Sequence, residues 1–210
     1  MDLSSPISSV IPSGHGVVLS VLARTEQPMS GRRVAELTDG RLSSKGVLNV
    51  LNALVEAGVV LVEDQPPARL FRLNRRHLAA QSILDLADLR GRLIEELRGH
   101  LGSWAVPAEG AWLFGSLARG EGSADSDIDV LLVRPDRVSD DDPSWLAQVE
   151  AFIEDVTAWS GNACSIIEYS LKEFTRMMAS PGRLPDDLRA QSMLLAGEMQ
   201  LRDLRPRRAS

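Results

Sequence analysis

The sequence predicts an α/β (α+β) chain. A helical N-terminal part ends in a β-hairpin, a single helix follows, and the C-terminal part holds a small mixed sheet flanked by helices. Three observations predict this. Val47, Leu48, Leu51, Leu54 and Val55 recur at helical spacing, and two short runs, Val59–Glu63 and Ala68–Leu73, follow them around Asp64-Gln-Pro-Pro67. A second helical stripe, Ile83, Leu86, Leu89, Leu93, Ile94, Leu97 and Leu101, crosses the middle of the chain. Beyond it, the apolar runs Ala111–Phe114 and Val130–Val133 bracket a small, polar, glycine-containing segment.

The chain has 210 residues, 44% of them hydrophobic, which is enough for one medium domain or two small ones with real cores. Cys164 is the single cysteine, so no internal disulfide can form, and a reducing compartment suits it. No apolar run approaches the ~18 residues of a membrane span. The first residues, MDLSSPISSVIPSG, carry no basic segment ahead of an apolar one. These features predict a cytoplasmic protein with no membrane partner. His15, His77 and His100 are scattered, so no zinc site is expected. The net charge of −6 is unevenly spread. Residues 1–78 hold 9 Lys and Arg against 7 Asp and Glu, a balance of +2, and residues 79–210 hold 14 against 22, a balance of −8. Only the first part would tolerate a nucleic acid non-specifically.

In chain order, residues 1–13, rich in Ser and Pro, are expected to form a flexible arm. Residues 14–76 are the first domain. A short helix covers Gly16–Arg24, Ser30 caps a second around Val34, Ala35 and Leu37, and Ser43 opens a third that Gly58 ends. The two strands of the hairpin follow. Residues 77–102 are expected as one linker helix, whose stripe must pack on the second domain or on a second chain, as in a homodimer. Residues 103–203 are the second domain. It carries helices over Trp145–Trp159, Ser170–Met178 and Leu184–Leu195, a third strand over Ala163–Tyr169 and a short last strand over Glu198–Leu201. Asp140-Asp141-Asp142 precede Pro143 at a helix start and read as helix capping. Residues 204–210 are a basic tail.

Three helices followed by a hairpin, with Leu-Val-Glu-Ala-Gly-Val-Val at 54–60, resemble a winged helix-turn-helix domain. That resemblance implies a third helix entering the DNA major groove and a wing touching phosphates. The implied DNA-binding set is Ser43, Ser44, Lys45, Asn49 and Asn52 on the helix, with Arg69 and Arg72 on the wing. Winged helices also serve as protein-docking modules, and a balance of +2 is weak for a DNA binder.

The most informative stretch is AWLFGSLARGEGSADSDIDVLLV, residues 111–133. It reads as strand, turn, short helix, loop, strand. Alternation along an extended chain points Asp127 and Asp129 the same way and Ile128 into the core. Two adjacent carboxylates suit a hard divalent cation such as Mg²⁺. Gly115 allows a backbone to come close to a ligand, and Ser116 sits where a helix begins, with free N–H groups suited to a phosphate. The string Gly115-Ser116, ten residues, Asp127-Ile128-Asp129 resembles the signature of the polymerase-β-like nucleotidyltransferases in their minimal form. Phe114, Ala118-Arg119-Gly120 and Ser126 fit the same pattern, and the resemblance covers Trp104 to the C-terminus.

The resemblance implies a nucleotidyltransferase fold and roles for these residues. Asp127 and Asp129 would be catalytic and hold Mg²⁺. Gly115, Ser116 and Arg119 would bind the nucleotide, an NTP with ATP the expected one. A third carboxylate is expected on the third strand, but its place falls at Ser165. Glu168 lies three residues on and, by the odd spacing, on the opposite face. It is the remaining candidate for a catalytic acid. The expected activity is Mg²⁺-dependent transfer of an NMP to an unknown acceptor: a protein partner, as in toxin–antitoxin pairs, a tRNA end or a small molecule. The other readings are a DNA-binding regulator that senses nucleotide without turnover, and an antitoxin-like interaction protein.

Overall fold

Pro6 opens the first helix, α1 (Pro6–Val10), where its fixed φ and missing N–H cost nothing. The computed structural model describes residues 1–66, 68–199 and 201. Contacts divide the chain into two units: Ser4–Arg90 with Asp2, and Gly91 onward with Met1 and Leu3.

The first unit contains α1, α2 (Gly14–Ala23), β1 (Met29–Ser30), α3 (Gly31–Glu36), α4 (Ser44–Glu56), β2 (Val60–Gln65), β3 (Ala68–Leu73) and α5 (Ala80–Ala87). Ser30 and Ser43 cap α3 and α4 as expected, each accepting a backbone N–H three residues on. The strands form an antiparallel sheet in the order β1-β3-β2. Ile7, Val18, Leu22, Val34, Val47, Leu51, Phe71 and Leu73 make the core. The expected flexible arm is therefore corrected in part. Ile7 is buried, and the Asp2 carboxylate accepts from the Ser4 and Ser5 N–H groups, which orders the turn before α1.

The expected single linker helix over 77–102 is instead two helices, α5 and α6 (Leu89–Gly102). The chain turns at Asp88, with φ −98 and ψ 14. The two halves of the stripe serve different cores. Ile83, Leu84 and Leu86 pack in the first unit, and Leu93, Ile94, Leu97 and Leu101 in the second. A straight helix keeps one continuous stripe on one surface, so the break falls between them.

The second unit continues with β4 (Gly110–Phe114), α7 (Gly115–Arg119), β5 (Ile128–Arg134), α8 (Pro143–Ser160), β6 (Cys164–Ser170), α9 (Leu171–Ala179), α10 (Arg183–Gln191) and β7 (Met193–Gly197). The sheet order is β6-β5-β4-β7, parallel between β5 and β6 and antiparallel elsewhere. Alternation divides its side chains. Ala111, Leu113, Val130 and Leu132 meet Leu97, Trp145, Phe152 and Val156 on one face. Trp112, Leu131 and Val133 meet Phe174, Met178 and Leu188 on the other. The Trp112 and Phe174 rings stack at 5.2 Å. Asp142 caps α8, accepting from the Ser144 and Trp145 N–H groups at 2.9 and 3.0 Å.

The expected last helix over Leu184–Leu195 stops at Gln191, and Met193–Gly197 is a strand. Without it β4 would be an edge, and pairing satisfies its open row of backbone groups while burying Leu195. Glu198 and Met199 are not in a strand, as had been expected for Glu198–Leu201, and Gln200 lies outside the described residues. The basic tail, 204–210, also lies outside them. Among the described residues no helix is long and apolar enough to cross a membrane.

Candidate functional site

Asp127 precedes β5, and Asp129 is its second residue. Ile128 between them is buried in the core. Asp127 is exposed and Asp129 half-buried, and both lie at the strand end on the sheet face away from Ile128. β4 runs antiparallel alongside, with Phe114 opposite Asp129, so the turn after β4 is delivered to the same place.

That turn is Gly115. Its φ is +73, a left-handed conformation in which a Cβ is strained. A Cβ built there would sit 2.2 Å from Asp129 Oδ2. Glycine is thus required twice, by its backbone and by the carboxylate against it. Ser116 follows as the second residue of α7 and is half-buried. Burial, and then the charge of Asp127, raise the Asp129 carboxyl above its ordinary range, and the charge of Arg119 opposes them. Arg119 itself is tied back: its Nε donates to Glu121 at 2.7 Å and its guanidinium to Gln191 Oε1 at 3.4 Å.

The parallel register places Ser165 beside Asp129. Its Oγ donates to Asp127 Oδ2 at 3.4 Å. The position predicted for a third acid is therefore next to the pair, and it carries a hydroxyl. Glu168 is not brought to the site. It pairs with Leu132, on the face packed against α8. There its carboxylate accepts from Arg134 Nε at 2.7 Å and from Trp145 Nε1 at 3.0 Å. Its assignment as a catalytic acid is corrected on these grounds: an odd spacing from Ser165 turns it to the opposite face, and both its oxygens are engaged. Among the described residues no third Asp, Glu, His or Cys joins the pair in a metal-binding group. Asp127 and Asp129 are nonetheless oxygen donors of the type Mg²⁺ takes, and a cation there would offset the repulsion between the two carboxylates.

Sequence reasoning missed Asn162. It follows Gly161, the left-handed C-cap of α8, and reads in sequence only as a turn. Its side chain is buried and crosses to the loop before Asp127, donating to the Ala124 and Ser126 carbonyls at 3.1 and 2.9 Å. No local signal reports a contact between residues 36 and 38 positions apart.

The residues read as DNA-contacting lie in the first unit. Ser43 is the cap of α4, its Oγ accepting from Gly46 N–H at 3.1 Å. Ser44, Lys45, Asn49 and Asn52 are exposed on α4. Arg69 reaches Asn52 Oδ1 at 3.4 Å and Asp64 at 3.4 Å, and lies over the Phe71 ring. Arg72 pairs with Glu63 at 3.0 Å. Both hairpin arginines are thus met by carboxylates from β2.

Residues 94–175 match the family model described as nucleotidyltransferase domain. No curated protein matches the chain. Among solved structures, a crystal structure of a mutant MntA–HpeT toxin–antitoxin aligns at 14% identity with a TM-score of 0.36, over 53% of this chain and 78% of that one.

Proposed function

We propose that this protein is a nucleotidyltransferase that moves an NMP from an NTP to an acceptor. The observation that carries this is the seating of Gly115 against Asp129, which gathers a glycine-serine turn and two carboxylates at one strand end. The family match over residues 94–175 supports it. In this reading the Gly115–Ser116 turn receives the triphosphate, with backbone N–H and hydroxyl as donors. Asp127 and Asp129 hold Mg²⁺, which supplies charge neutralisation to the triphosphate and to the departing pyrophosphate. An acceptor oxygen forms the new bond to the α-phosphorus as the bond to pyrophosphate breaks. Arg119 contributes charge while staying paired with Glu121. Ser165 adds a hydroxyl and no base, so the acceptor proton leaves through the acceptor's own surroundings or solvent. The acceptor classes that the sequence resemblance allows are a protein partner, a tRNA end and a small molecule.

Incubation of the purified chain with each α-³²P-labelled NTP and Mg²⁺, alone and with cell lysate, tests it. Label should pass to an acceptor and be lost in Asp127→Ala/Asp129→Ala. The absence of both transfer and NTP binding in the unaltered protein would overturn the reading.

A second reading is favoured by Ser165 at the third position and by the engagement of Glu168. There the site binds nucleotide without turnover, and the first unit acts as a winged helix on DNA through Ser44, Lys45, Asn49 and Asn52. Its test is binding to upstream against random DNA across a salt series. The pairing of Arg69 and Arg72 with carboxylates predicts a shallow salt slope, and no binding at physiological salt would remove this reading.

A further inference from the structure

Asp127 has a neighbour tethered on each side, and both tethers come from the same turn. On one side, Asn162 Nδ2 donates to the Ser126 carbonyl at 2.9 Å and to the Ala124 carbonyl at 3.1 Å. On the other, the Ala163 carbonyl accepts from Ile128 N–H at 2.8 Å. Asn162 is only 4% exposed, and its own position is fixed. Its N–H donates to Ser160 Oγ at 3.1 Å, and its Oδ1 accepts from the Met1 amino group at 2.7 Å. Ser160 Oγ in turn donates to the Val156 carbonyl in α8. The loop closes on itself as well, with Ser123 N–H donating to Ser126 Oγ at 2.9 Å and Ser126 N–H to the Ser123 carbonyl at 3.2 Å. An exposed carboxylate on a polar loop would otherwise sample many directions. Here the backbone that carries it is pinned to the turn after α8 on one side by the Asn162 amide and on the other by the Ala163 carbonyl.

We infer that Asn162 is a positioning residue for Asp127, setting the loop in which that carboxylate meets a divalent cation and the nucleotide. The inference rests on the nucleotidyltransferase reading for what Asp127 binds, and goes beyond it in assigning the tether. Two properties make the amide specific. It spends both hydrogens on carbonyls, which a carboxylate of the same shape cannot do. It is buried, so water does not replace it at low cost. Residues that orient a ligand-bearing group typically change metal affinity about 10–100-fold when removed.

The test is Mn²⁺ binding to the full chain, read by electron paramagnetic resonance with a non-hydrolysable α,β-methylene NTP. It compares the unaltered protein, Asn162→Ala and Asn162→Asp. Both variants should bind Mn²⁺ about 10–100-fold more weakly. Excess Mn²⁺ should restore occupancy, which a collapsed site would not allow. Asn162→Asp keeps the packing and loses the donors, so its loss of affinity separates the tether from mere volume. If the unaltered protein binds and both variants bind within twofold of it, this inference is overturned while the functional reading stands. If the unaltered protein binds neither Mn²⁺ nor nucleotide, the functional reading falls and this one with it. Should neither variant fold, hydrogen exchange in the metal-free unaltered protein decides. The Asn162 side-chain amide hydrogens should already be protected by the Ala124 and Ser126 carbonyls, and their free exchange would overturn the tether.

Discussion

A single missing side chain organises the site. Gly115 combines a φ of +73 with a space in which a Cβ would lie 2.2 Å from Asp129 Oδ2. Left-handed backbone costs a residue with a Cβ about 1–2 kcal/mol, and the clash adds to it. Gly115→Ala should therefore lower the thermal midpoint and displace Asp129, abolishing nucleotide binding. A variant that keeps its affinity would show that the close approach is dispensable. Cys164 reports on the same carboxylate. Burial first, and then the charge of Asp129, push its thiol up to about 12 from an ordinary 9.0. At pH 8 the thiolate fraction is then on the order of a thousandfold below that of an open thiol. Iodoacetamide should modify Cys164 slowly, and Asp129→Asn should quicken it. Because the folded value is raised, the neutral thiol's stabilisation is complete below pH 9.0 and declines as pH climbs toward about 12. Cys164→Ser should flatten that alkaline loss in a pH series of unfolding midpoints. At this scale the Gly-Ser and Asp-x-Asp residues were legible from the signature they resemble, and the antiparallel register of β4 and β5 is what sets them side by side. Asn162 was not, since its partners are fixed by where α8 ends.

Among the elements, β6 divides two kinds of chemistry by its pleat. Ser165 lies on the face of Asp129, and Glu168 on the face of α8. The Arg134 and Glu168 side chains are 11% and 25% exposed, and Arg134 also donates to the Val138 carbonyl. Glu168→Gln should leave Mn²⁺ and NTP affinity unchanged and destabilise the fold by on the order of 2 kcal/mol, less than a fully buried pair because of that exposure. Chemical denaturation beside a binding titration checks both halves, and a loss of affinity without a loss of stability would return Glu168 to the site. Helices α4 and α8 were legible from apolar spacing, and their caps from Ser43 and Asp142. β7 was not, because a short apolar run such as Met-Leu-Leu-Ala suits a helix end or a strand equally.

Across the molecule, each unit folds around its own apolar cluster, and in the second unit the sheet carries one cluster on each face. Phe152 is fully buried and lies 5.2 Å from the His100 ring and 6.0 Å from the Trp104 ring. Phe152→Ala should cost about 3–5 kcal/mol, as large core truncations do, and unfold the second unit at a lower denaturant concentration. The first unit should keep its transition, and a single shared transition shifting as a whole would show that the two unfold together.

Order along the chain determined much by itself. It set the positions of α4 and α8, the hairpin, the two central strands and the pair of aspartates behind a glycine-serine turn, because period and spacing are local properties. Tertiary structure decided the rest. It split the linker stripe between two cores and turned Met193–Gly197 into the strand that completes the sheet. It also tied the Asp127 loop to Asn162. Each of these depends on what a distant backbone leaves unpaired or uncovered, and that is a property of packing with no trace in local pattern.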